Sequence, residues 1–152
     1  MYVRPKNLDE VITLMSKDTW SILAGGTDIY PSIGERPIKT PFIDLTDVCD
    51  LKGITEDGSF WRIGAAATWT ELIKTKLPPG FNALKQAARE IGSIQIQNRA
   101  TIAGNICNAS PAADGVPALM ILNASVELTS VSGTRDVALK DFIIGNRETV
   151  RK

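Results

Sequence analysis

Ser21-Ile22-Leu23-Ala24-Gly25-Gly26-Thr27-Asp28-Ile29 is a short apolar run that stops abruptly at consecutive glycines. A strand ending this way exposes backbone N–H groups that form a nest for anionic oxygens. Glycine also lets an extended anionic ligand approach the backbone without meeting a Cβ. Thr27 adds a hydroxyl donor, and Asp28 can hold the loop or a ribose. A tight turn joining two elements fits the same residues, so the meaning of the stretch depends on its surroundings.

Upstream, Asn7 is placed to cap a helix running to about Lys17, with Leu8, Val11, Ile12 and Met15 on one face. Thr19 to Leu23 and Pro41 to Leu45 read as strands on either side of the glycine turn. Downstream, Leu51 to Thr55 and Phe60 to Gly64 flank Glu56-Asp57-Gly58-Ser59, a hairpin signal. Thr68-Trp69-Thr70-Glu71 fits a capping box that opens a short helix. Phe81 to Ile91 reads as a helix, ended by Gly92. Pro117 to Leu122 also reads as helical, and Val126 to Val131 pairs through Ser132-Gly133 with Asp136 to Leu139. An early β-α-β unit followed by hairpins and helices predicts an α+β fold.

A second stretch attracts attention for its length and lack of charge. Arg99-Ala100-Thr101-Ile102-Ala103-Gly104-Asn105, then Asn108-Ala109-Ser110-Pro111-Ala112-Ala113-Asp114, sets small residues beside hydrogen-bonding ones. It reads as a structured loop with short helical turns. Small side chains permit close approach of a flat or extended ligand, and Thr101, Asn105, Ser110 and Asp114 supply donors and acceptors. A buried polar loop held by its own Asx turns fits as well. Neither stretch has a Walker lysine or the G-x-G-x-x-G spacing. Together they suit a long, dinucleotide-like ligand gripped from two sides.

The rest of the composition narrows the chemistry. The chain has 152 residues, with Lys plus Arg and Asp plus Glu at 17 each and no net charge. That balance argues against nucleic acid and anionic membranes as partners. No apolar run approaches the length of a spanning helix, and the N-terminus has no signal-peptide core, so a cytoplasmic protein is expected. Two cysteines, Cys49 and Cys107, are too few for an iron–sulfur cluster. The absence of histidine removes imidazole-based metal sites and catalytic triads. The cysteines read as small, buried or half-buried thiols in a reducing compartment. Trp20, Trp61 and Trp69 read as core or rim residues, and Arg89 and Arg99 as solvated surface. No metal site and no evident acid, base or nucleophile emerges, so redox chemistry here requires a bound organic cofactor.

An ordered series of motifs resembles the FAD-binding module of the molybdenum hydroxylase family, which includes xanthine dehydrogenase and carbon monoxide dehydrogenase. Tyr2-Val3-Arg4-Pro5 with Leu8-Asp9-Glu10 is similar to that family's opening, and Ala24-Gly25-Gly26-Thr27-Asp28 to its first flavin loop. Ile63-Gly64-Ala65 with Thr68 follows, then Ile96-Gln97-Asn98-Arg99-Ala100-Thr101-Ile102-Ala103-Gly104-Asn105 and Ser110-Pro111-Ala112-Ala113-Asp114. The resemblance runs from residue 2 to about residue 150. One departure is Ala103, where the family commonly has glycine; a methyl group is tolerable there if φ is negative.

The resemblance implies a vanillyl-alcohol-oxidase/PCMH-type FAD-binding fold, with a small N-terminal β-α-β part over residues 1–50 and a larger mixed part over 51–152. It implies that Leu23, Ala24, Gly25, Gly26, Thr27, Asp28 and Ile29 wrap the diphosphate of a non-covalent FAD. Thr101, Gly104, Asn105 and Asp114 would hydrogen-bond the cofactor, and Ile91 would lie near its ring system. The implied partners are an iron–sulfur subunit and a molybdopterin subunit. Electrons would arrive singly from the clusters and leave for NAD or another acceptor, the chain being one component of an oxidoreductase and not complete alone. Family flavin subunits continue with a C-terminal α/β domain, so a fragment, split subunit or truncated product is expected. Two rivals remain: a stand-alone flavin reductase, and a truncated non-catalytic domain that keeps the fold but binds FAD weakly or not at all. The residues do not identify the oxidised substrate.

Overall fold

The computed structural model describes residues 1–151. In chain order the elements are β1 (Tyr2–Val3), α1 (Leu8–Met15), β2 (Ser21–Leu23), α2 (Ile29–Ile33) and β3 (Phe42–Asp44). Then come β4 (Ile54–Asp57), β5 (Phe60–Ile63), α3 (Trp69–Lys74), α4 (Asn82–Glu90), α5 (Ile94–Gln97) and α6 (Ile102–Asn108). The chain continues with α7 (Gly115–Ile121), β6 (Ser125–Ser130), β7 (Gly133–Ala138), α8 (Leu139–Phe142), β8 (Ile143–Gly145) and β9 (Glu148–Thr149). This is the mixed α+β arrangement that the pattern of the sequence predicts.

The N-terminal part is a parallel sheet ordered β1-β3-β2, with α1 crossing from β1 to β2. Asn7 caps α1 by accepting the Glu10 N–H at 2.9 Å, and the Glu10 carboxylate returns to the Lys6 N–H. Val11 of α1, Ile43 of β3 and Val48 form a small apolar core, with Trp20 and Ile22 packed against it. Asp44 is buried at the end of β3, where it accepts hydrogen bonds from the Tyr2 hydroxyl and from the Thr46 N–H and hydroxyl. Burial works to raise its pKa, but the Thr46 and Tyr2 hydrogen bonds and nearby Arg4 outweigh it and hold the carboxyl below its usual value.

The remainder is built on a larger core of Trp69, Leu72, Leu84, Ala88, Ala100, Ile102, Ala118, Leu119, Leu139 and Phe142. Thr68 forms the expected capping box with Glu71 and starts α3, which buries Trp69 and Leu72. The hairpins β4-β5 and β6-β7 are joined by a bidentate Arg62–Glu127 ion pair at 2.8 and 3.0 Å. Trp61 packs edge-on against Phe81 with ring centroids 6.0 Å apart.

Several expectations are refined. Strands β2 and β3 are shorter than their apolar runs, because only the residues opposite a partner strand enter a ladder, whereas β7 begins three residues earlier than expected. The stretch from Arg99 onward carries a full helix, α6. Ile29 opens α2 despite Pro31, which sits in the first turn where a missing N–H breaks no helical bond. Cys49 is exposed, in contrast to the buried or half-buried position expected, whereas Cys107 is half-buried. No helix of the described residues is long and apolar enough to cross a membrane.

Candidate functional site

Leu23 ends β2 inside the core, its carbonyl accepting the Leu45 N–H at 2.8 Å. The chain then bends through Ala24, Gly25 and Gly26 and turns at Thr27 and Asp28 into α2, which begins at Ile29. Gly26 has φ +74°, a conformation that side-chain-bearing residues rarely adopt. Among the described residues, no carbonyl or side chain accepts the N–H groups of residues 24 to 28. The carbonyls of Gly26 and Asp28 accept the N–H groups of Tyr30 and Ser32, at 3.1 Å each, which fixes the loop to α2.

The second segment is anchored in the larger core. Ala67 accepts the Ile102 N–H and Ala100 accepts the Trp69 N–H, both at 3.1 Å, so the run is stitched to the start of α3. Buried Thr101 caps α6, its hydroxyl oxygen accepting the Gly104 N–H at 3.0 Å. Ala103 lies within α6, where its backbone is helical and its methyl group is unstrained. Gly104 is exposed, and half-buried Asn105 has its Oδ1 enclosed beside Gly115 with no donor in reach. Asp114 is exposed at the start of α7 and makes no side-chain cap. Ile91 is half-buried at the end of α4 and packs on the larger core.

The two segments touch. A Cβ on Gly25 would lie 1.9 Å from the Arg99 carbonyl oxygen, so only glycine lets the loops approach this closely. Arg99 Nε donates to the Gly25 carbonyl at 3.3 Å. Asn108 Nδ2 donates to Asp28 Oδ1 at 3.1 Å, and Arg147 Nη1 donates to Asn108 Oδ1 at 2.9 Å. Sequence reasoning took Arg99 for solvated surface and gave Asn108 and Arg147 no role. Arg99 is exposed, yet it reaches across to the other loop. These contacts join residues separated by 74, 80 and 39 positions, a relation that no local pattern encodes.

The arrangement offers binding groups and little that can react. Among the described residues, no group of three His, Cys, Asp or Glu side chains could hold a metal ion. Burial pushes the Cys107 thiol above its usual pKa, with Arg151 opposing weakly, which disfavours the nucleophilic thiolate. A cleft of about 550 Å³ beside α2, lined by Ile33, Arg36, Ile38 and Phe42, meets the predicted site only at Ile29. The row of N–H groups without acceptors matches phosphate oxygens, and the absent side chain at Gly25 lets the second segment close against this loop. The enclosed Asn105 Oδ1 is a polar atom still in need of a donor beside the second segment. These residues fit a diphosphate-bearing cofactor.

Comparison with known proteins agrees with that geometry. Residues 1–152 match the family described as the FAD binding domain in molybdopterin dehydrogenase. The FAD-subunit of nicotinate dehydrogenase from Eubacterium barkeri is 38% identical over 149 residues, covering 95% of this chain and 50% of the relative. The carbon monoxide dehydrogenase medium chain of Afipia carboxidovorans is 37% identical over 150 residues, covering 95% of this chain and 51% of that one. Among solved structures, reconstituted CO dehydrogenase from Oligotropha carboxidovorans superposes with a TM-score of 0.92 at 32% identity, over 99% of this chain and 54% of that chain. The chain thus spans about half the length of the curated relatives it matches. With the family match running the length of the chain and the fold superposing on a solved CO dehydrogenase chain, the chain belongs to the family of FAD binding domains in molybdopterin dehydrogenases.

Proposed function

We propose that this chain is the FAD-carrying, electron-transfer part of a multisubunit molybdenum-containing dehydrogenase. The observation that supports this reading most directly is the meeting of the Gly25 loop with the Arg99–Ala100 backbone, beside N–H groups that have no internal acceptor. Leu23 through Ile29 would hold the diphosphate. Thr101, Gly104, Asn105 and Asp114 would contact the cofactor from the second segment, and Ile91 would lie on the ring side. Bound FAD supplies the redox chemistry, taking up electrons singly and releasing them in pairs. The protein groups bind and orient it. The two cores suggest a division near residue 50 into a smaller part and a larger one.

By analogy with the relatives, the partners are an iron–sulfur subunit and a molybdopterin subunit, the final acceptor is NAD or another oxidant, and the setting is cytoplasmic. An absorbance spectrum of the purified protein, followed by FAD titration, tests the reading. Flavin that stays with the protein through gel filtration after titration, and is lost in Gly25→Ala, supports it. A colourless protein that stays blind to added FAD would overturn it and favour a domain that has kept the fold without the cofactor.

A further inference from the structure

We infer that Arg147 is a positioning residue for the first glycine loop, acting through Asn108 on Asp28. Its bearing on FAD rests on the proposal above, while its geometry does not. Arg147 Nη1 donates to Asn108 Oδ1 at 2.9 Å, and Asn108 Nδ2 donates to Asp28 Oδ1 at 3.1 Å. A carboxamide is suited to this position because it accepts at one end and donates at the other. Turning the amide over would set its NH₂ against a guanidinium and its oxygen against a carboxylate, so the charges at both ends fix its orientation.

The backbone adds a second tie. The Arg147 N–H donates to the Ala109 carbonyl at 2.9 Å, next to Asn108. Arg147 and Ala109 have φ of +57° and +46°, the left-handed region in which side chains are disfavoured. Glycine would fit the backbone at 147 better; what arginine contributes there is its side chain. Asp28 is the last residue before α2, so fixing its carboxylate fixes the exit of the loop whose N–H groups face no internal acceptor. Arg147 and Asp28 are exposed, so the relay sets local order and contributes little to global stability.

The test uses the full chain and two readouts. Amide hydrogen exchange at Tyr30 and Ser32, whose N–H groups bond to Gly26 and Asp28, reports loop order without cofactor. FAD titration reports the consequence for binding. Arg147→Gly keeps the left-handed turn while removing the guanidinium, and Asn108→Ala removes the bridge. Each is expected to speed exchange at Tyr30 and Ser32 by about fivefold and weaken FAD by a similar factor, with the melting temperature unchanged. Arg147→Lys, which keeps a cationic donor on a flexible stem, should show only part of either loss. The double variant should be no worse than Asn108→Ala alone, because the two residues act in series. Unchanged exchange in both single variants overturns the inference even if FAD binds normally. Faster exchange in a chain that binds no FAD upholds the relay and defeats the flavin reading instead.

Discussion

Residues 24–28 and residues 99–110 both give up side-chain bulk in favour of backbone access, but they are held by different means. The second segment rests on its own scaffolding: Thr101 caps α6, and Ala100 and Ile102 enter the core under Trp69. The first has a buried strand end at Leu23 and then depends on other parts of the chain, through Arg99, Asn108 and the close pass of Gly25. One loop is part of the core and the other is docked onto it. Damage to the core-borne loop should therefore cost stability, while damage to the docked loop should cost binding first.

The largest effect on that contrast is expected from Trp69→Ala, which removes a fully buried indole beneath the second segment. About 3–5 kcal/mol of stability should be lost in urea unfolding, carrying both loops with it. Gly25→Ala should cost less stability, about 1–3 kcal/mol, because the Arg99 backbone must shift to admit a methyl group. Its FAD affinity should nevertheless fall out of proportion in a titration. Equal losses in Gly25→Ala and Trp69→Ala would erase the distinction between docked and core-borne loops. Thr101→Ala should remove about 1 kcal/mol by uncapping α6, and Thr101→Ser should keep most of it.

A pH series sharpens the comparison from the N-terminal side. The Asp44 carboxyl titrates below its ordinary value of 3.8 in the folded chain, so the folded state favours the charged form. Its contribution is complete above the unfolded pKa and is lost as pH falls through the folded one. Acid melting curves should show this loss below about pH 4, and Asp44→Asn should flatten it. The smallest effect belongs to Arg62→Ala. The Arg62–Glu127 pair joins exposed faces of two hairpins, so its removal should lower the melting temperature slightly, and added salt should hide the difference.

Local signals in the sequence located what local physics decides. Asn7 and Thr68 announced their helices because a cap needs only three or four neighbouring residues. Asp57-Gly58 and Ser132-Gly133 announced hairpins for the same reason. The glycine pair and the Arg99–Asp114 run were both legible as small-residue loops, and the structure brings them into contact. Helix α2 escaped notice because five residues are too few to show a helical period. The β8-β9 hairpin is too short and irregular to show a period, and within its Asn146-Arg147 turn the left-handed position falls on Arg147 and not on the asparagine. Arg99, Asn108 and Arg147 were invisible as a set because each partner lies dozens of residues away.

Those separations impose an order in time on synthesis. Residues 24–28 leave the ribosome early, but Gly25 meets Arg99 only 74 positions later, and Asp28 meets Asn108 after 80. Asn108 in turn waits a further 39 for Arg147. Such distant contacts form slowly and late. Until residues 99 to 147 have been made, the nascent chain therefore carries its glycine loop without the three contacts that hold it.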